Sequence, residues 1–367
     1  GTPNNATFGC VATGDAIFPM AQQQQRQTNM DRLSDIKHIT RSLWSTIDTC
    51  NPSSLTRELD RFLDQNAVWQ GFKPVQNCRG ASEIVDHFWR PLRESFAHFE
   101  RETHILMAGV SDGKQASGQD GRVWVGATGY FHVTQTQPVF GVPAFPKSLK
   151  LRWAEFLEFD ATNKITRIQF MIDVIDWLEQ INCSPLPRPK GAAHVYLAPT
   201  GINGTDFPNT GSEATLHYAR NFIFGGLNAF DSADLSSMKM ADFFHPNVKW
   251  YGPGGIGACM SFKEFETLHQ RPWLVAFPDR KVQDLDNLIA EGAFFAGSSM
   301  PGVHATHTGP YLGHRASGQP LAINGIDFWI IQNNQITENW VFVDMIDLFD
   351  QMGVDLMQSA RYLAEVA

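Results

Sequence analysis

Met30, Leu33, Ile36, Ile39, Leu43, Trp44 and Ile47 recur at spacings of three and four, the signature of an amphipathic helix. Asn51-Pro52-Ser53-Ser54 breaks that pattern, and Leu55, Leu59, Phe62 and Leu63 form one side of a second, shorter helix. Val68-Trp69 begins an extended stretch. Ser82 opens a third helix carrying Ile84, Phe88 and Trp89. A kink or break is predicted at Pro91, which has no N–H for the helical ladder. After residue 100 the pattern changes to β-rich runs near 101–110, 122–137, 148–160 and 165–173, joined by turns such as Asp160-Ala161-Thr162-Asn163. From residue 212 the same order returns. Helices are predicted at 212–230 and 232–244, an extended Trp250-Tyr251, a helix opened by Ser261, and strands near 280–291, 293–309, 320–333 and 335–344. Helices followed by an antiparallel meander predict an α+β fold, with helices packed on one face of a curved sheet.

The recurrence extends to individual residues. At an offset of 172, His132 meets His304, Thr134 meets Thr306, Pro138 meets Pro310, Gly141 meets Gly313 and Glu155 meets Asp327. At 171, Ile165 meets Ile336, Asp173 meets Asp344, Asp176 meets Asp347 and Gln180 meets Gln351. At 181, Trp69 meets Trp250, Gly71 meets Gly252 and Arg90-Pro91 meets Arg271-Pro272. A period this long predicts two copies of one module. The division is a flexible N-terminal segment at 1–28, a first unit at 29–182, a Pro- and Gly-rich linker at 183–211, a second unit at 212–357 and a tail at 358–367.

Composition adds exclusions. The formal charge of −9 and the lack of any Lys/Arg-rich run argue against a nucleic-acid partner. No apolar run reaches the ~18 residues of a membrane span. Five cysteines, Cys10, Cys50, Cys78, Cys183 and Cys259, are scattered without a Cys-x-x-Cys pair, which points to reduced thiols in a cytoplasmic protein. The 27 Phe and 10 Trp residues suit either a filled core or a deep apolar pocket.

Residues 306–313 (T-H-T-G-P-Y-L-G), 325–329 (G-I-D-F-W), 334–344 (N-Q-I-T-E-N-W-V-F-V-D) and 348–353 (L-F-D-Q-M-G) resemble the SnoaL-like polyketide cyclases of the nuclear transport factor 2-like superfamily. The resemblance spans 212–353, and 30–181 is a weaker copy. It implies a cone of bent antiparallel sheet and helices around one apolar cavity. The activity it implies is an intramolecular aldol ring closure without cofactor or metal. The same superfamily includes isomerase-like and dehydratase-like enzymes and binding proteins without chemistry, so the fold alone does not fix a reaction. It also implies that two units in one chain pack as an internal pseudo-dimer, with a small hydrophobic molecule as ligand.

Alternate residues of a strand share a face, so His304 goes with Thr306, Asp327 with Trp329, and Trp340 with Phe342 and Asp344. A carboxylate among aromatic rings is disfavoured as an anion and becomes a usable acid or base near neutral pH. Asp327, mid-strand, and Asp344 are the candidate base and acid, with His304 to orient or polarise the substrate. Glu155, Asp173 and His132 are their first-unit counterparts, with Gln169 standing where the second unit has Trp340. Trp250, Thr306, His307, Trp329, Trp340 and Phe342 are candidate ligand contacts. Asp344 has an equal alternative as a helix N-cap, with Asp347 three residues on. His304 and His307 sit three apart on a strand and point to opposite faces, so no shared metal is expected. There is no G-x-S-x-G elbow and no phosphate loop.

Overall fold

Two sheets, one in each half of the chain, share one strand order. The computed structural model describes residues 19–75, 77–116, 120–232, 234, 236 and 238–366. In chain order the strands are β1 (Leu63–Gln70), β2 (Cys78–Arg79), β3 (Phe96–Val110), β4 (Val123–Gln135), β5 (Ser148–Phe159) and β6 (Ile165–Ile172). The second half has β7 (Phe244–Tyr251), β8 (Ala258–Cys259), β9 (Lys281–Val282), β10 (Asn287–Glu291), β11 (Phe294–Thr306), β12 (Pro320–Gln332) and β13 (Gln335–Val343). The first sheet is ordered β2-β1-β6-β5-β4-β3 and the second β8-β7-β13-β12-β11-β10, with β9 also on β11. Each is antiparallel except for one parallel pair, β1 with β6 and β7 with β13. The fold is α+β: two tandem sheet-and-helix units.

Three local expectations change. The first helix begins at Met20, so Gln22 to Gln25 are helical rather than part of a flexible lead. Residues 1–18 lie outside the described residues. No helix is found over the described residues of 232–239. Asp234 instead accepts from the Ser236 backbone and hydroxyl, and only Met240–Asp242 make a 3-10 turn before β7. Short polar side chains that bond their own backbone compete with the helical ladder. Pro91 breaks nothing, because a wide π-helical turn at Val85–Trp89 precedes it and Arg90–Ser95 continues the helix. Pro272 repeats the device after Phe265–Gln270. None of the helices among the described residues is long and apolar enough to cross a membrane, and Cys50, Cys183 and Cys259 are free thiols.

Contacts between the halves are reciprocal. The Gly254 N–H donates to Asp173 Oδ2 at 2.9 Å, and the Lys73 N–H donates to Asp344 Oδ2 at 2.9 Å. Phe156 stacks on its own counterpart, Phe328, with centroids 5.6 Å apart. Arg152 is buried at the centre of this contact. Its guanidinium donates to Asp173, to the Tyr251 carbonyl and to the Gly252 carbonyl, between the rings of Tyr196 and Phe342.

One glycine in each unit is dictated by close packing. A Cβ on Gly71 would lie 2.0 Å from the Trp69 indole, and one on Gly252 would lie 2.1 Å from the Trp250 indole. Gly71→Ala is expected to cost about 2 kcal/mol, as overpacking a filled core does. Urea unfolding of the variant at neutral pH measures this, and a loss within error of zero would mean that the indole moves freely.

Candidate functional site

The second unit encloses a cavity of about 200 Å³. Its floor is the inner face of β11, β12 and β13. Register sets which residues point in. Asp327 pairs with Gly297 on one side and Val341 on the other, so Ile323, Gly325, Asp327 and Trp329 face the cavity with Val341 and Val343. The wall is the helical stretch 262–276, where Phe265, His269 and Trp273 recur every four residues on one face. Phe222 and Leu227 close a third side, and Trp250 comes from β7.

Polar groups in this lining are few. Asp327 lines the cavity and keeps part of its surface accessible there. Burial pushes its pKa up to about 8. Arg152, from the first unit, and the Asn339 amide offset only part of that rise. The Asn339 amide also donates to the Phe328 carbonyl.

His269 stacks on Trp250, with centroids 4.2 Å apart. Burial, then Arg280, lowers its pKa to about 3, so the ring is neutral at physiological pH. Its Nδ1 has no hydrogen-bond partner among the described residues. Arg280 is held by the Leu227 carbonyl at 3.0 Å, and burial lowers its pKa only to about 10, so it remains a cation. An acid near its midpoint, a neutral imidazole and a fixed cation thus share one apolar chamber.

Of the residues singled out from sequence, Asp327, Trp250 and Trp329 line this cavity. Trp340 and Phe342 do not. Phe328 pairs with Trp340, which puts the even positions of β13 on the outer face. There Trp340 Nε1 donates to the Leu197 carbonyl at 2.8 Å, and Phe342 lies against Arg152. His304, Thr306 and His307 also lie outside the lining. His304 pairs with Lys281 and Ala322 on a stretch offset by the irregularity between Ser299 and Val303. Thr306 bonds Asp279 through its N–H and hydroxyl. His307 is buried against Phe277 with Nδ1 on Ser317.

Asp344 is engaged elsewhere as well. One oxygen caps the final strand-to-helix turn through the Asp347 N–H at 3.1 Å, and the other takes the Lys73 N–H. Asp173 does the same through Asp176 and Gly254. Both are caps that also fasten one unit to the other, which is the alternative that the sequence left open for Asp344.

The first unit is filled. Arg101, paired with Asp48 at 2.8 Å, lays its guanidinium against Trp44, Phe131 and Trp153 within 5.1 Å. Burial pushes Glu155 up to about 7, but its Oε1 accepts from Trp44 Nε1 at 2.7 Å. His132 lies at the surface beside Glu102. His269, Arg280 and Asn339 escaped the sequence reading. The four-residue spacing of Phe265, His269 and Trp273 was the available signal for the first.

Residues 227–352 match the family described as SnoaL-like polyketide cyclase. No curated protein matches the chain in sequence. Among solved structures, AclR from Streptomyces galilaeus is 19% identical over 39% of this chain and 97% of its own, with a TM-score of 0.32. TsrD from Streptomyces laurentii is 21% identical over 38% and 96%, with a TM-score of 0.31. IdmH from Streptomyces antibioticus is 19% identical over 36% and 96%, with a TM-score of 0.29.

Proposed function

We propose that the second unit catalyses cofactor-independent acid/base chemistry on a small hydrophobic carbonyl compound, as an intramolecular aldol closure or an isomerisation. One observation carries this reading: a carboxyl pushed up to about 8 inside an apolar chamber. The match of 227–352 to the cyclase family supports it. In this reading the ionised Asp327 removes a proton next to the carbonyl. Arg280 and the neutral His269 ring stabilise the enolate oxygen. Protonated Asp327 then returns the proton to the alkoxide formed on ring closure. Positioning in the chamber supplies the rest of the rate. In this reading the first unit, its interior filled, is a structural partner, and the reciprocal contacts support treating the two units as an internal pseudo-dimer.

The reading is tested without knowing the natural substrate. A small aromatic methyl ketone in deuterated buffer is followed by NMR, with binding read from quenching of tryptophan fluorescence at Trp250, Trp273 and Trp329. Wild type is expected to accelerate α-deuterium exchange, with a rate that rises as pH passes through about 8, because the base must be ionised. Saturable quenching without exchange at any pH would instead mark a carrier of hydrophobic ligands.

A further inference from the structure

The two copies hold the same carboxylates in different electrostatic company. In the second unit Lys73 reaches across and its Nζ sits 3.0 Å from Asp347 and 2.9 Å from Asp350. The sequence counterparts of those carboxylates are Asp176 and Glu179, and Gln180 holds Asp176 at 3.0 Å as Gln351 holds Asp347 at 2.8 Å. The backbone counterpart of Lys73 is Gly254, as the reciprocal bonds to Asp344 and Asp173 establish. Gly254 can carry no ammonium, since even a Cβ there would lie 2.3 Å from the Asp176 nitrogen. In its place His194, from the segment joining the units, brings Nδ1 to 2.7 Å from Asp176 Oδ1.

We propose that Asp176, Glu179 and His194 form a divalent-metal site, with zinc as the best-matched ion. The ligand atoms of the three all lie within 4.8 Å of one another. Two carboxylates, one imidazole and a water make the four-coordinate N/O set that zinc accepts, with bonds of about 2.0–2.2 Å. The internal comparison points to a cation specifically, because the equivalent pair already grips one, the Lys73 ammonium. Asp176 is buried and held by Gln180, so one ligand is pre-oriented. Glu179 accepts from the Gly255 N–H at 2.7 Å, so a second ligand is held in place from the other unit. His194 is exposed and borders an open groove with His132, Lys147 and Lys150. Bound metal would tie the linker to the first unit and, through Gly255, to the second.

Zinc titration of the full chain by calorimetry, with cobalt as the spectroscopic probe, tests this. Wild type is expected to bind one ion per chain and to give a visible cobalt absorption. His194→Asn, which tolerates the left-handed backbone at this position (φ 62°), and Glu179→Gln are each expected to weaken binding at least ~100-fold with an unchanged circular dichroism spectrum. X-ray absorption of zinc-loaded wild type, which needs no variant, should show nitrogen and oxygen neighbours with one imidazole. Absence of saturable binding would overturn the proposal and leave His194 as the counterion in its protonated form. Equal affinity in both variants, or a sulfur shell around zinc, would overturn it by placing the ion elsewhere.

Discussion

Asp327→Asn is expected to eliminate exchange and turnover while making the protein more stable above neutral pH. The loss of rate should be on the order of 10²–10⁴-fold, the contribution of a positioned general base. The gain in stability follows from linkage. In the unfolded chain this carboxyl ionises near 3.8, and in the folded chain near 8. Below about pH 4 it is neutral in both states, and wild type and variant are alike. Between about 4 and 8 the unfolded chain loses its proton while the native chain keeps it, so native stability falls as pH rises. Above about 8 the cost is constant. Allowing for water reaching the carboxyl through the cavity, the variant should be more stable by about 3 kcal/mol at pH 9. Urea unfolding of both proteins at pH 4 and pH 9 reads this directly. A variant with the same advantage at both pH values would show that Asp327 is not forced to stay protonated. A variant that still exchanges deuterium would remove it from the chemistry.

The second large effect belongs to Arg152. Its guanidinium links a carboxylate of the first unit to two carbonyls of the second, and both partners of the Arg152–Asp173 pair are almost wholly withdrawn from water, with side chains 2% and 3% exposed. Arg152→Met keeps most of the volume but leaves Asp173 buried without its counterion and two carbonyls without a donor. A loss of about 3–5 kcal/mol is expected. The double variant Arg152→Met/Asp173→Asn should recover much of it, since the charge that was stranded is gone. Because Arg152 also lowers the pKa of Asp327, its loss should push that carboxyl further up and move the pH dependence of exchange to higher pH. A single variant within about 1 kcal/mol of wild type would mean that the halves are held together by apolar contacts such as Phe156 on Phe328.

Much of this protein is written locally. The three-and-four spacing along 30–47 buries Ile36, Leu43, Trp44 and Ile47, and the long β-rich runs after residues 100 and 293 become β3 to β6 and β11 to β13. Asp327 stood out in sequence because a carboxylate is rare in the middle of a strand, and that rarity needs no partner to be noticed. What sequence could not provide was register. Alternation puts Trp340 and Phe342 on one face and Val341 on the other, but only the pairing of Asp327 with Val341 says which face looks inward. The same holds for Asp344 and Asp173. Each could be read as an acid or a cap from its neighbours in sequence, and the choice fell to partners about eighty residues or more away, Lys73 and Gly254. His269 and Arg280 enter the cavity because a helix and a loop fold over the sheet, which no spacing within the sheet announces.

The sequence by itself therefore determined the two units, the helices-then-meander order of each and the one carboxylate out of place on a strand, because periodicity and propensity act over a few residues. Tertiary structure alone decided which unit is hollow. Arg101 and its ring of tryptophans fill one interior, whereas aromatic side chains around the other leave a chamber. Whether side chains meet or leave space depends on distances between segments far apart in the chain, and those distances exist only once the sheets have closed.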